Sequence, residues 1–162
     1  MKPHVVAALG GGHGLAATLS ALRFLTDDIS AIVTVADNGG SSGRLRDEFG
    51  VLPPGDLRMA LAALCDESEW GHTWRDVLQH RFAGQGPLSG HALGNLLIVT
   101  LWELLDDPVA GLDLVARLPL SDAGGSAAYF DNATHTAEVI NRCHRSTAAE
   151  IAIGGGVNSL NL

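Results

Sequence analysis

A chain of 162 residues is expected to form one domain, and its 46% apolar residues suffice for a real core. Charged residues make up 17%, below the roughly one quarter usual in soluble domains, so a disordered chain is not the expectation. The net charge of −8, from 10 basic and 18 acidic residues, goes against a nucleic-acid footprint; Arg44, Arg46 and Arg58 stand isolated, where a small anion is the partner that fits them.

Residues 5–9 form a short continuous apolar run, as expected of a strand buried on both faces. The glycines of Gly10-Gly11-Gly12-His13-Gly14 break it. Leu15, Leu19, Leu22 and Leu25 then recur at helical spacing, which predicts a helix over roughly 14–25. Residues 29–36 are β-branched and apolar and predict a second buried strand, parallel to the first. A polar loop over 37–43 follows, then a helical turn through 44–48. Pro53-Pro54-Gly55 is punctuation before a helix over 57–65, for which Asp56 is a candidate N-cap. A helix over 70–82 places Trp74, Val77, Leu78 and Phe82 on one face. Residues 84–90 read as a flexible loop, 92–105 as a strongly apolar helix, and 108 to about 118 as a shorter one. Beyond Pro119 the character changes: a helix is expected over 134–145 and a short strand over 150–153. No apolar run approaches the about 18 residues of a membrane span, and the chain runs into its first strand with no sign of a signal peptide, so a cytoplasmic location is expected. Cys65 and Cys143 have no metal-ligand spacing and read as small buried hydrophobes. His72, His80, His135 and His144 show no triad or metal spacing either.

The chemistry is expected in four glycine-rich polar segments. Glycine lets backbone N–H groups approach a ligand closely, and loops at strand ends of α/β proteins hold phosphates. The first, Gly10 to Gly14, can aim N–H groups and a helix dipole at an anion, with His13 as a donor. It is not the dinucleotide fingerprint, because Leu15 stands where the third glycine would be, and no Lys-Ser/Thr follows to make a P-loop. In the second, Asp37 suits a ribose hydroxyl or a divalent metal, or else an Asx turn. Gly39-Gly40-Ser41-Ser42-Gly43 suits an anion nest or a merely flexible loop, and Arg44 and Arg46 suit a phosphate clamp. In the third, Asp56 is either a cap or a carboxylate turned to the same cleft. In the fourth, His91 and Asn95 are four residues apart and so lie on one helix face, at the first turn of an apolar helix.

Taken together, Leu9-Gly10-Gly11-Gly12-His13-Gly14-Leu15, the run from Val33 through Asp37-Asn38-Gly39-Gly40-Ser41-Ser42-Gly43-Arg44 to Arg46, Pro53-Pro54-Gly55-Asp56-Leu57-Arg58, and Gln79-His80-Arg81-Phe82 followed by Leu88-Ser89-Gly90-His91 carry a specific resemblance. They resemble the YvcK-type gluconeogenesis factor family, within the wider superfamily of the phospholactate transferase of coenzyme F420 synthesis. The resemblance covers about residues 4–118, and His13, where many members have threonine, resembles the actinobacterial branch. It implies an α/β, Rossmann-like three-layer fold with a mainly parallel sheet. It implies a cytoplasmic regulatory protein that binds a nucleotide-sugar, typically a UDP-sugar such as UDP-N-acetylglucosamine, and acts on cell shape and peptidoglycan synthesis during growth on gluconeogenic carbon. The partners implied are that ligand, cell-wall synthesis proteins and a further copy of the chain. The ligand candidates carried over are Gly10, Gly11, Gly12, His13, Gly14, Asp37, Asn38, Gly40, Ser41, Ser42, Arg44, His91 and Asn95. That reading requires no cofactor and assigns no catalytic residue. The alternative, a phospholactate-transferase-like enzyme, would take Mg²⁺ on Asp37 and Asp56. Asn38 departs from the Asp-Asp usual in the family and counts against it. Full members are longer, so the second half of the fold is expected to be shortened, rearranged or incomplete.

Overall fold

The computed structural model describes residues 6–26, 29–118, 152–153 and 156–157. It is an α/β structure built on two parallel strands. β1 (Val6–Gly10) pairs with β2 (Ile29–Val33), Val6 opposite Ile29 and Gly10 opposite Val33. Helix α1 (Gly12–Leu22) makes the crossover between them, as parallel pairing requires. Five more helices follow: α2 (Gly40–Phe49), α3 (Gly55–Leu64), α4 (Glu69–Gln79), α5 (Leu93–Leu105) and α6 (Pro108–Arg117). Two short antiparallel strands, β3 (Ala152–Ile153) and β4 (Gly156–Val157), come last; β3 falls on the strand expected over 150–153. The helix expected over 134–145, Cys143, His135 and His144 lie outside the described residues.

Side chains alternate across a strand, so each strand presents two faces. One face, with Ala8, Ile29, Ala31 and Val33, joins Leu15, Leu19, Leu57, Leu61, Ile98 and Val115 in a single core. On the other, Leu9 is 57% exposed and Ile32 only half-buried. The expectation of burial on both faces is therefore met on one face only among the described residues.

Three helices begin earlier than their apolar periodicity suggests, and glycine is the reason in two. Gly12, at φ +57°, lets the chain enter α1 two residues before position 14, and the helix ends at Leu22, which leaves Leu25 73% exposed. Gly40, at φ +51°, starts α2 inside the segment expected to be a loop. The intrinsic propensity of Gly-Ser-Ser-Gly is poor; burial of Ser41, Ser42, Gly43 and Leu45 overrides it. Gly50, at φ +65°, closes that helix with its N–H on the Arg46 carbonyl at 2.9 Å. α3 starts at Gly55 with Pro54 as its N-cap residue, so Asp56 is not the cap. β2 ends at Val33 rather than 36, where its partner β1 ends at Gly10, and the Thr34 hydroxyl donates to Asp56.

α4 stops at Gln79, so Phe82 lies beyond it. An isolated antiparallel bridge between Arg81 and Ala92 closes the base of the loop before α5. That loop is pinned by Phe82 N–H to the His91 carbonyl (3.1 Å) and by Gly90 N–H to the Phe82 carbonyl (2.9 Å). α5 and α6 are joined by a tight turn in which Asp107 caps the Val109 and Ala110 N–H groups, with Pro108 at the first helical position. No helix among the described residues is long and apolar enough to cross a membrane.

Candidate functional site: a cavity where four helices begin

Among the described residues, four of the six helices start at one cavity of about 340 Å³. The first turn of α1 contributes Gly12 and His13, that of α2 Gly40, Ser41 and Ser42, that of α3 Gly55, Asp56 and Arg58, and that of α5 Asn95. Asp37, Gly39, Met59 and Arg81 complete the wall. The first N–H groups of any helix lack partners within it. At α4 and α6, which begin elsewhere, Ser68 and Asp107 supply a side-chain acceptor. At the four helices on the cavity the N-cap residues are Gly11, Gly39, Pro54 and Ala92, and no side chain caps any of them. The cavity thus collects four positive dipole ends, although at α5 the Leu93 N–H is taken by the His80 carbonyl (2.8 Å) and the Asn95 N–H by the Ala92 carbonyl (3.1 Å).

Two carboxylates stand among these donors. Asp37 accepts from the Gly39 N–H at 2.9 Å through one oxygen, an Asx turn. A Cβ on Gly55 would come within 2.8 Å of its other oxygen, so the carboxylate lies flat against α3. Asp56 accepts the Thr34 hydroxyl at 2.9 Å, and any side chain at Gly11 would collide with both groups. Asp37 thus makes the Asx turn and also lines the cavity, while Asp56 lines the cavity and is not the N-cap residue. Among the described residues no group of three or more His, Cys, Asp or Glu is placed to hold a metal. Two carboxylates suit Mg²⁺ only if water and ligand phosphate complete its shell.

Behind the cavity wall runs a buried polar chain. Arg58, 3% exposed, donates from Nε to Asn95 Oδ1 at 2.9 Å and from Nη1 to Gln79 Oε1. Asn95, 1% exposed, donates from Nδ2 to Ser41 Oγ at 3.0 Å, and the Ala92 N–H reaches the same oxygen at 3.3 Å. A hydroxyl has two acceptor sites and one proton. With both acceptor sites used, Ser41 gives its proton to His91 Nδ1 at 3.0 Å. His91 is therefore the neutral tautomer with its proton on Nε2. Burial, then the Arg44 charge, push its pKa below the ordinary 6.5, with Glu48 pulling the other way. The unfolded chain takes up that proton more readily, so the stabilisation is complete above pH 6.5 and is lost as pH falls below it. Urea unfolding should show stability dropping on acidification from pH 7.5 to 5.5. His91→Gln should remove His91's share of the drop; an unchanged pH profile would contradict the tautomer assignment.

Of the sequence-predicted ligand residues, Gly12, His13, Asp37, Gly40, Ser41, Ser42 and Asn95 meet at the cavity, with Asp56 of the metal pair. Gly10, Gly11 and Gly14 flank it without lining it. His91 sits behind Ser41. Asn38 lies outside the lining and accepts from Arg46 at 3.4 Å; Arg44 donates to the Ser89 carbonyl at 2.8 Å and is outside it too. Gly39 of the expected anion nest and Arg58, expected to meet a small anion, also line it, together with Gly55, Met59 and Arg81, which the sequence did not single out as ligand candidates. Elsewhere, Glu67 gathers His72, Arg23 and Arg75, and the His72 hydrogen bond foremost holds its carboxyl down to about 2. Burial pushes the Cys65 thiol up to about 12, which makes it inert, as expected of a small buried hydrophobe.

The family described as 2-phospho-L-lactate transferase CofD matches residues 6–119. A relative from Mycobacterium leprae is 63% identical over 117 residues, 72% of this chain and 33% of the relative. The gluconeogenesis factor of Bacillus subtilis is 48% identical over 106 residues, 65% of this chain and 32% of that protein. A crystal structure of a UPF0052 family member from Bacillus halodurans superposes with a TM-score of 0.67 at 42% identity, over 74% of this chain and 37% of that one. The chain thus spans about a third of the length of these curated relatives. With this match across the segment that builds the cavity, the chain belongs to the 2-phospho-L-lactate transferase CofD family, among relatives named gluconeogenesis factors.

Proposed function

We propose that the cavity binds the diphosphate of a nucleotide-sugar, a UDP-sugar such as UDP-N-acetylglucosamine, and that the protein is a cytoplasmic regulator linking gluconeogenic metabolism to cell shape and peptidoglycan synthesis. The observation that carries the binding step is the convergence of four helix N-termini without side-chain caps on one cavity. A diphosphate would accept from these N–H groups and draw on their dipoles. Asp37 suits a ribose or sugar hydroxyl on the same wall. Cell-wall synthesis proteins are the partners of this reading, and a second copy of the chain is compatible with it.

The two carboxylates favour a second reading, an Mg²⁺-dependent transferase of the phospholactate type. Asp37 and Asp56 would hold the ion, which would supply charge neutralisation at the phosphates. Asn38 in place of a further carboxylate is against it. Calorimetry of UDP-N-acetylglucosamine on this chain, with and without Mg²⁺, tests the first reading. Binding is expected in both conditions, and its absence in both would overturn the proposal. Mg²⁺-dependent release of a nucleotide from an activated phospholactate donor would favour the transferase instead.

A further inference from the structure

Arg58 is a buried cation outside any ion pair among the described residues. It is 3% exposed, and among the described residues no carboxylate lies within ion-pairing distance of it. Three other arginines, Arg23, Arg75 and Arg117, are each paired with a carboxylate, although all of them are more exposed to water. Buried charges are ordinarily paired, because desolvation is costly otherwise. The bonds Arg58 does make are to two neutral amide oxygens, Asn95 Oδ1 and Gln79 Oε1. They use Nε and Nη1. Nη2 makes no hydrogen bond among the described residues, yet it is not one of the sealed, unsatisfied atoms. Arg58 lines the cavity, and Nη2 is the guanidinium nitrogen it has left to offer a ligand there.

Its position is fixed from behind. A Cβ on Gly94 would come within 2.8 Å of Arg58 Cγ and 2.9 Å of Cδ, so the stem lies directly on the α5 backbone. Burial, then the nearby Arg81 charge, lower its pKa to about 10, while Asp56 and Asp37 act in the opposite sense, so it stays charged at neutral pH. Arg81 lines the same cavity, its Nη1 on the Gly90 carbonyl at 2.9 Å. Asp37 and Asp56 share this space with the two cations but form no ion pair with either, which leaves both guanidinium groups able to meet an anionic ligand.

We propose that Arg58 is the ligand-contacting cation of this cavity: its guanidinium, locked by Asn95, Gln79 and Gly94, receives a phosphoryl oxyanion of the bound ligand through Nη2, with Arg81 as the second cation. The ligand class is an organic diphosphate, and the inference rests on the phosphate-binding reading above. Asn95, Ser41 and His91 hold the guanidinium and do not themselves carry the charge.

The test is calorimetry of UDP-N-acetylglucosamine and of inorganic pyrophosphate on the wild-type chain, Arg58→Gln and Arg58→Lys, beside thermal unfolding of each without ligand. Gln keeps an amide donor for Asn95 and removes the charge. Arg58→Gln should lose about ten- to hundredfold in affinity for both probes, the effect of deleting a hydrogen bond between charged groups. Its ligand-free unfolding midpoint should fall, because Asn95 Oδ1 and Gln79 Oε1 lose the guanidinium donor, so the affinity of the folded protein is the deciding readout. Arg58→Lys keeps the charge without the fork and should fall between. A purely structural Arg58 would lower the midpoint and leave the affinity of the folded protein unchanged; that result overturns the inference and spares the binding reading. If Arg58→Gln does not fold, Arg58→Lys decides, and wild-type affinity there overturns it. Wild-type binding of pyrophosphate but not of the UDP-sugar removes the sugar and leaves Arg58 measurable. Wild-type binding of neither probe overturns both.

Discussion

Asn95→Ala should lower the free energy of unfolding by about 2–4 kcal/mol, the range for breaking a buried hydrogen bond to a charge. Asn95 is 1% exposed and has a donor and an acceptor committed in opposite directions. Its Oδ1 takes the Arg58 Nε proton, and its Nδ2 gives to Ser41 Oγ. Alanine leaves a buried guanidinium N–H with nothing to meet, and frees an acceptor site on a hydroxyl that is itself 3% exposed. The volume lost is small, so the cost is polar rather than steric. Urea unfolding measures it directly. An effect under about 1 kcal/mol would mean that water replaces the amide and that the network is not sealed.

Gly94→Ala is the second large effect, and its cause is steric. The added methyl would meet the Leu78 carbonyl oxygen at 2.6 Å and the Arg58 stem behind it. A backbone carbonyl at the end of α4 cannot swing away as a side-chain tip can. Overpacking of this kind costs about 1–3 kcal/mol, against a gain of up to about 1 kcal/mol from the better helix propensity of alanine. Net destabilisation is expected in urea. The same change should also push the guanidinium from its place and weaken ligand binding. A Gly94→Ala protein as stable as wild type would show that α4 and α5 separate easily, and that their contact does not set the Arg58 geometry.

The parts of the fold that depend on neighbouring residues were legible in the sequence. The strand at 5–9, the strand beginning at Ile29 and the helices at 92–105 and 108–118 follow from continuous or periodic apolar residues, and the structure places elements there. Only the part of α2 over 44–48 was legible as helical; its first turn was not, because Gly-Ser-Ser-Gly argues against a helix locally and its reason is distant: Ser41 is held by residues 50 and 54 positions further on. The single buried face of the parallel pair was not legible either, since Leu9 is as apolar as a core residue. At the cavity, glycines and small polar residues pointed to segments that line it, Gly12, His13, Gly40, Ser41 and Ser42 among them. Arg58 gave a weaker signal. Its partners lie 21 and 37 residues away, and nothing in Gly-Asp-Leu-Arg distinguishes a solvated arginine from a buried one.

The chain of hydrogen bonds from Gln79 to His91 has a kinetic side. Ser41 and Asn95 are 54 residues apart, Ser41 and His91 50, and Arg58 and Asn95 37. Each link closes a long loop, whose entropy must be lost before the contact returns anything. The cavity is therefore expected to mature late, after the local helices and the β1–α1–β2 unit have formed. A partly folded chain can own most of its secondary structure and still lack the site. A ligand that recognises only the finished cavity then acts as a selector of complete molecules, stabilising them by mass action and leaving unfinished ones exposed to proteolysis.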